Sequence, residues 1–222
     1  MRHAGRCWRH VFGAALAGLL MTLSMAAQSA PPSRQQALQQ LASKSAQARR
    51  AALDRLAEVG QMQDAKALVA ALADDQEAVR TAAEAALWMV WGRSGNAAVD
   101  KLYRTGVAQM NSADVDAALN TFSEIIRLKP DFAEGWNKRA TVLYFSGRLQ
   151  ESLADCDEVL KRNPYHFGAL SGYGQIHSKL ENFDQALEYF ERALAINPNM
   201  QGVALNVLAL RKLLAERQRK AT

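Results

Sequence analysis

Residues 158–170 read EVLKRNPYHFGAL, and Pro164 falls directly after an amphipathic run. Proline lacks the amide proton that a helix interior needs, and it disfavours helix in the residue before it. The stretches RLKP, KRNP and AINP, ending at Pro130, Pro164 and Pro198, therefore read as helix exits. The three exits are evenly spaced, and their step is the period of a stacked helical hairpin and not of a single packed globule.

The windows 99–132, 133–166 and 167–200 keep more than their prolines in register. Leu102, Trp136 and Leu170 form a large column, and Gly106, Ala140 and Gly174 a small one a helical turn later. A large side chain beside a small one on the same face lets two helices approach closely. Ala118, Ser152 and Ala186 form a second small column, followed by Phe122, Cys156 and Phe190. Ile125, Val159 and Ala193 complete the stripe before each proline. Spacings of three and four are helical.

At these residues the chain resembles the tetratricopeptide repeat (TPR) family over about 100 of its 222 residues. NFDQALEYFERALAINPN (182–199) is very close to the family pattern, and RLQESLADCDEVLKRNP (148–164) is close. Gln109 and His177 stand where a larger apolar or aromatic residue is usual, and Cys156 where an aromatic is common. The implied fold is all-α, a right-handed α-solenoid of stacked helical hairpins. After Pro198, MQGVALNVLALRKLLAERQRK starts like another first helix and runs out in charge, so 201–222 reads as a capping helix.

A weaker and slightly shorter period runs through the first half. ARRAALDRLAEVG from Ala48 aligns with VRTAAEAALWMVWG from Val79, placing Arg49 on Arg80, Ala52 on Ala83 and Leu56 on Leu87. Residues 45–98 resemble short bacterial HEAT-like repeats, in which Asp74 or Asp75 would cap a helix and Glu77 would favour its positive end. Carried onward, the offset puts Leu68 on Val99 and Leu72 on Tyr103. One helix, Asn96 to Ala108, is thus expected to serve both halves, with WGRSGN as only a turn between them in one continuous superhelix. Trp88 and Trp91 are expected at the seam between the halves. QSAPPSRQQ (28–36) is expected to be loose within a flexible segment and first helix spanning 27–44.

The first 26 residues carry Arg2, Arg6 and Arg9 without an acid, followed by an apolar run that ends in small residues. This reads as an export signal cut after Ala26, against the alternative of an uncleaved anchor over Val11 to Ala27, whose seventeen residues are at the short limit for a bilayer span. A periplasmic or secreted location, in a bacterial cell envelope, is the resulting expectation. Setting the signal aside removes three arginines and no acid, which takes the formal charge from +5 to +2. Such a balance argues against a nucleic-acid partner. Arg211, Lys212, Arg217, Arg219 and Lys220 crowd the last helix, where positive charge suits a C-terminus. Of the two cysteines only Cys156 lies beyond the signal, so no internal disulfide is expected.

No glycine-rich phosphate loop, paired-histidine zinc motif or serine elbow is present. Catalytic residues, cofactors and metals are therefore not expected, and Cys156 reads as a buried inert thiol. The TPR resemblance implies a protein or peptide partner, held on the inner face of the superhelix. Residue by residue that face presents Tyr103, Val107, Met110, Asn137, Lys138, Thr141, Tyr144, Ser171, Gln175 and Lys179, with Gly168 and Gly172 leaving a recess. The family's carboxylate clamp falls on Tyr103, Val107, Lys138, Gly168 and Gly172, which lack most of its charges. A clamp is not expected, although Lys138 and Lys179 would favour acidic ligands. The expected function is an exported adaptor or scaffold, without membrane insertion once the signal is cut. The rival is an assembly subunit that docks through the HEAT-like half or by self-association.

Overall fold

The computed structural model describes residues 30–221. The stretch expected to be an export signal lies outside them. Helices α1 (Arg34–Gln40), α2 (Ala46–Val59), α3 (Ala65–Ala70) and α4 (Glu77–Trp91) come first. They are followed by α5 (Ala97–Asn111), α6 (Val115–Leu128), α7 (Ala133–Phe145), α8 (Leu149–Arg162), α9 (Phe167–Lys179), α10 (Phe183–Ile196) and α11 (Gln201–Ala221). None is long and apolar enough to cross a membrane among the described residues.

From α5 onward the molecule is an α-solenoid. The pairs α5–α6, α7–α8 and α9–α10 form hairpins, and α6, α8 and α10 each pack on the next hairpin or on α11. The small columns do what their size allows. A Cβ at Gly106 would lie 2.8 Å from the Phe122 ring, and one at Gly174 2.5 Å from Phe190, so these helices approach as glycine permits. Within each hairpin the turn passes through a left-handed residue, Ala113 (φ 60°), Gly147 (φ 76°) and Glu181 (φ 58°), in step with the prolines. Only the middle one is a glycine.

Two departures from the repeat pattern are absorbed locally. Thr121 Oγ1 donates to Gln109 Oε1 at 2.7 Å. His177 lies parallel to Tyr173 and Tyr189, in a stack whose two tyrosine rings are 4.3 Å apart.

The first half builds its own core, and α5 is not part of it. Leu53, Leu56, Leu68, Leu72, Val79, Leu87 and Val90 are buried together, with α2 packed on α4. Val99, Leu102 and Tyr103 of α5 are instead claimed by Phe122 and Phe132. The expectation of one helix shared by both halves is thus corrected. The short α3, continued only by a 3-10 turn at Ala71–Ala73, already covers α4, and α5 has a better partner in α6.

What replaces α5 in the first stack is a remote part of the chain. Arg49 Nη1 donates to the carbonyls of Ser43 and Lys44 while its Nε and Nη2 hold Asp74. One period later, Arg80 Nη1 donates to the carbonyls of Asp74 and Asp75, but its Nε reaches Asn199 Oδ1 at 2.8 Å. Asn199 Nδ2 returns a bond to the Leu72 carbonyl at 2.9 Å. Tyr165, Phe167, Ile196 and Met200 complete the core of the first half.

The turn at 92–96 is short and pinned. Arg93 donates to the carbonyls of Ala57, Glu58 and Gly60 at the end of α2, where a cation offsets the helix's negative pole. Ser94 bonds Asp100 through both its amide and its hydroxyl. Two smaller expectations are corrected. Residues 34–36 are not loose, because Ser33 caps α1 in a reciprocal box with Gln36 and Arg34 pairs with the buried Asp64. Asp74 does not cap α4, whose N-cap is Gln76; its carboxylate is drawn to Arg49 and the Gln76 amide.

Candidate functional site

The first helices of the three hairpins, α5, α7 and α9, touch in series and present one face. One end of that face is filled by the chain itself. Trp91 is 3% exposed and stacks on His166 with centroids 4.7 Å apart, and Trp88 meets Phe167 edge-on at 5.2 Å. A Cβ at Gly168 would lie 2.7 Å from Trp88 Cη2, so the room left by that glycine is taken by the indole.

Beneath this contact sits a buried carboxylate that sequence reasoning missed. Glu134, 1% exposed, receives His166 Nε2 at 2.5 Å, Asn137 Nδ2 at 3.1 Å and Tyr103 Oη at 3.2 Å, and Lys138 Nζ is 3.8 Å away. His166 Nδ1 accepts the Ala169 amide and so caps α9, which leaves its proton on Nε2 facing Glu134. Burial alone would push the Glu134 carboxyl up. The adjacent His166, then Lys138 and Asn137, outweigh it and hold the group well below the usual carboxylate range. Burial and the adjacent Glu134 push the Tyr103 phenol up, so it remains a donor.

The other end of the face is open. Tyr144, Gln175, Ser178, Lys179, Asn206 and Ala209 border a depression of about 360 Å³ between α7, α9 and α11. Lys179 Nζ rests 3.9 Å above the Tyr144 ring. A smaller recess of about 60 Å³ lies between these two ends, bordered by Thr141, Cys156, Gly172 and Ile176.

The fold that carries this face has counterparts among known proteins. Residues 131–199 match the family model of the tetratricopeptide repeat. This segment is a TPR array. A TPR repeat-containing protein of Rhizobium etli is 40% identical over 108 residues, 49% of this chain and 53% of that protein. An Hsp70-Hsp90 organizing protein of Triticum aestivum is 25% identical over 55% of this chain and 21% of its own length. The chain therefore spans about half or less of these curated relatives. Among solved structures, the Sgt2 TPR domain from Aspergillus fumigatus aligns at TM-score 0.53 and 19% identity, over 57% of this chain and 85% of that one. The first TPR of Spaghetti, bound to an HSP90 peptide, aligns at TM-score 0.51 and 19% identity, over 53% and 93%.

Against the TPR array, the ten residues expected to face a ligand divide into three groups. Tyr103, Val107 and Met110 pack against the Phe122 cluster, Asn137 is 9% exposed and bonded to Glu134, and Ser171 is 6% exposed. Tyr103 and Asn137 are drawn inward by Glu134, and Val107 and Met110 are half-buried by the Phe122 cluster. Lys138 lies part-exposed beside Glu134, and Thr141 Oγ1 donates to the Asn137 carbonyl. Tyr144, Gln175 and Lys179 line the open depression, joined by Asn206 and Ala209 of α11, which sequence reasoning left out. Asn206 and Ala209 fall one repeat step beyond Gly172 and Gln175, which was the available signal. Cys156 is 3% exposed, and burial first, then Asp155 and Asp157, push its thiol up to about 12.

Proposed function

We propose that the chain is an exported adaptor that holds an extended segment of a protein partner in the open end of its TPR groove. The observation that carries this reading is the depression at Tyr144, Gln175, Lys179 and Asn206, which offers an aromatic ring, two amides and a cation to solvent beside a closed end. Amides hydrogen-bond a peptide backbone, and a tyrosine supplies contact area at low entropic cost. The TPR of Spaghetti was solved with an HSP90 peptide bound, which supports a peptide ligand for a related fold. The arginines and apolar run of residues 1–26 support export to the periplasm or cell surface.

A photo-crosslinking residue placed at Gln175, compared with one at the exposed Leu128 of α6, tests the groove. Partner adducts at 175 and none at 128 are expected, and the reverse pattern overturns the reading. Mass spectrometry of the N-terminus from the envelope fraction tests export.

The assembly reading finds its surface on α11 and not at the tryptophans of α4. Trp91 is covered by the third repeat, so the first half does not present it as a docking patch. Leu205 and Leu208 of α11 are 66% and 62% exposed, which favours association through that helix.

A further inference from the structure

Four glycines inside helices of the array have a side chain pressed on them. A Cβ would lie within 2.8 Å of Phe122 at Gly106, of Ile125 at Gly135, of Trp88 at Gly168 and of Phe190 at Gly174. Gly172, midway along α9, has no such reason. A Cβ there would meet only Cys156 Sγ, at the ordinary contact distance of 3.8 Å. A mid-helix glycine costs helix stability relative to alanine, and nothing in the packing requires this one.

Cys156 departs from the pattern at the same place. It is the repeat equivalent of Phe122 and Phe190, and those rings fill the space beside Gly106 and Gly174. In the second repeat Ala140 takes the place of those glycines and its methyl occupies part of that space, and the smaller thiol leaves the rest unfilled. The result is the recess of about 60 Å³, floored by Cys156 and Ile176 and opening past the part-exposed Thr141, Tyr144 and Gly172. Two independent substitutions in the repeat pattern thus converge on one opening.

We propose that this recess is a side-chain subsite for a small aliphatic residue, of alanine to valine size, in the segment that the groove holds. At roughly 30 Å³ of liquid volume per water, the space takes about two or three heavy atoms, too few for an aromatic ring. Its walls offer little to a charged group. The Asn137 Nδ2 is committed to Glu134, the Ser152 hydroxyl to the Ala140 carbonyl and the Thr141 hydroxyl to the Asn137 carbonyl. A buried polar side chain there would lose its water without replacement, whereas an aliphatic one gains by leaving water. In an extended segment the residues on either side point away, so a single position is selected. The proposal rests on the groove reading above and adds the identity of one side chain to it.

The test titrates the ¹⁵N-labelled chain with N-acetyl-valinamide and with N-acetyl-phenylalaninamide, reading the amide signals of Thr141, Gly172 and Ile176. Valinamide is expected to bind about tenfold more tightly than phenylalaninamide, the scale on which a pocket separates side chains of different size. Gly172→Ala narrows the recess without a clash and is expected to abolish the preference while the melting temperature holds or rises. Cys156→Leu fills it from the floor and is expected to do the same. Equal binding of the two amides, an unchanged preference in either variant, or a lower melting temperature for Gly172→Ala overturns the subsite. If Tyr144→Ala with Lys179→Glu still abolishes partner capture in that case, the groove reading survives and only the subsite fails. If capture is also unchanged, both fail.

Discussion

Trp91 and His166, far apart in the chain, stack almost parallel at 4.7 Å and join the first four helices to the third repeat. Their contact closes one end of the groove and shields the Glu134 carboxylate beneath it. Trp91→Ala removes a buried indole from this joint and is expected to cost about 3–5 kcal/mol. Trp91→Phe keeps a ring in place and is expected to cost much less, because the indole Nε1 has no acceptor among the described residues. Urea unfolding of the two variants checks the difference.

Arg80 and Asn199 supply the polar half of the same joint. Arg80→Ala and Asn199→Ala are each expected to destabilise the chain by roughly 1–2 kcal/mol. Since the two residues share a bond, the double variant should cost less than the sum of the singles. A double-mutant cycle measures that coupling.

Glu134 sets the acid limit of the structure. Its carboxyl is held below the ordinary value of 4.5, so the folded state favours the charged form more than the unfolded state does. That stabilisation is complete above about pH 4.5 and is lost as pH falls towards the lowered folded value. Stability measured from neutral pH downward is expected to fall below about pH 4.5 in the parent, and less steeply in Glu134→Gln.

Gly168 and Gly172, one turn apart on α9, are expected to respond oppositely to alanine. Gly168→Ala drives a methyl into Trp88 and should destabilise while disturbing tryptophan fluorescence. Gly172→Ala meets no such obstacle and should stabilise by up to about 1 kcal/mol through helix propensity. Thermal melts followed by fluorescence separate the two.

Glu181 sits at φ 58° in the turn between α9 and α10, where the second hairpin has Gly147. Glu181→Gly relieves a left-handed conformation that costs a side-chain-bearing residue roughly 1–2 kcal/mol, less the added flexibility of the unfolded chain. A small rise in melting temperature is expected.

The hairpins were legible because they are local. Pro130, Pro164 and Pro198 mark their exits, and the columns at Gly106, Phe122 and Ile125 recur in register, with Cys156 the one break in the aromatic column. The joint between Trp91 and His166 was not legible as a pairing, since periodicity carries no information about which distant loop a helix end meets. The sequence placed the two tryptophans at a seam, but the shorter period of the first half pointed to α5 as the partner. That choice failed because Phe122 and Phe132 hold α5 more fully. Glu134 was hidden for a related reason. An acid in the first turn of a helix reads as a surface residue beside the positive pole, and only the fold brings His166 and Tyr103 onto it. The open end of the groove was half visible, through Tyr144, Gln175 and Lys179, while α11 was read as a cap and its Asn206 and Ala209 were overlooked.

Selection of a random peptide library displayed on phage, run in parallel on the parent chain and on Tyr144→Ala with Lys179→Glu, tests the groove most directly. The account predicts a convergent peptide family on the parent, its loss on the variant, and a cooperative melting curve for both. The same family recovered from both proteins would contradict it and move the binding surface elsewhere on the molecule.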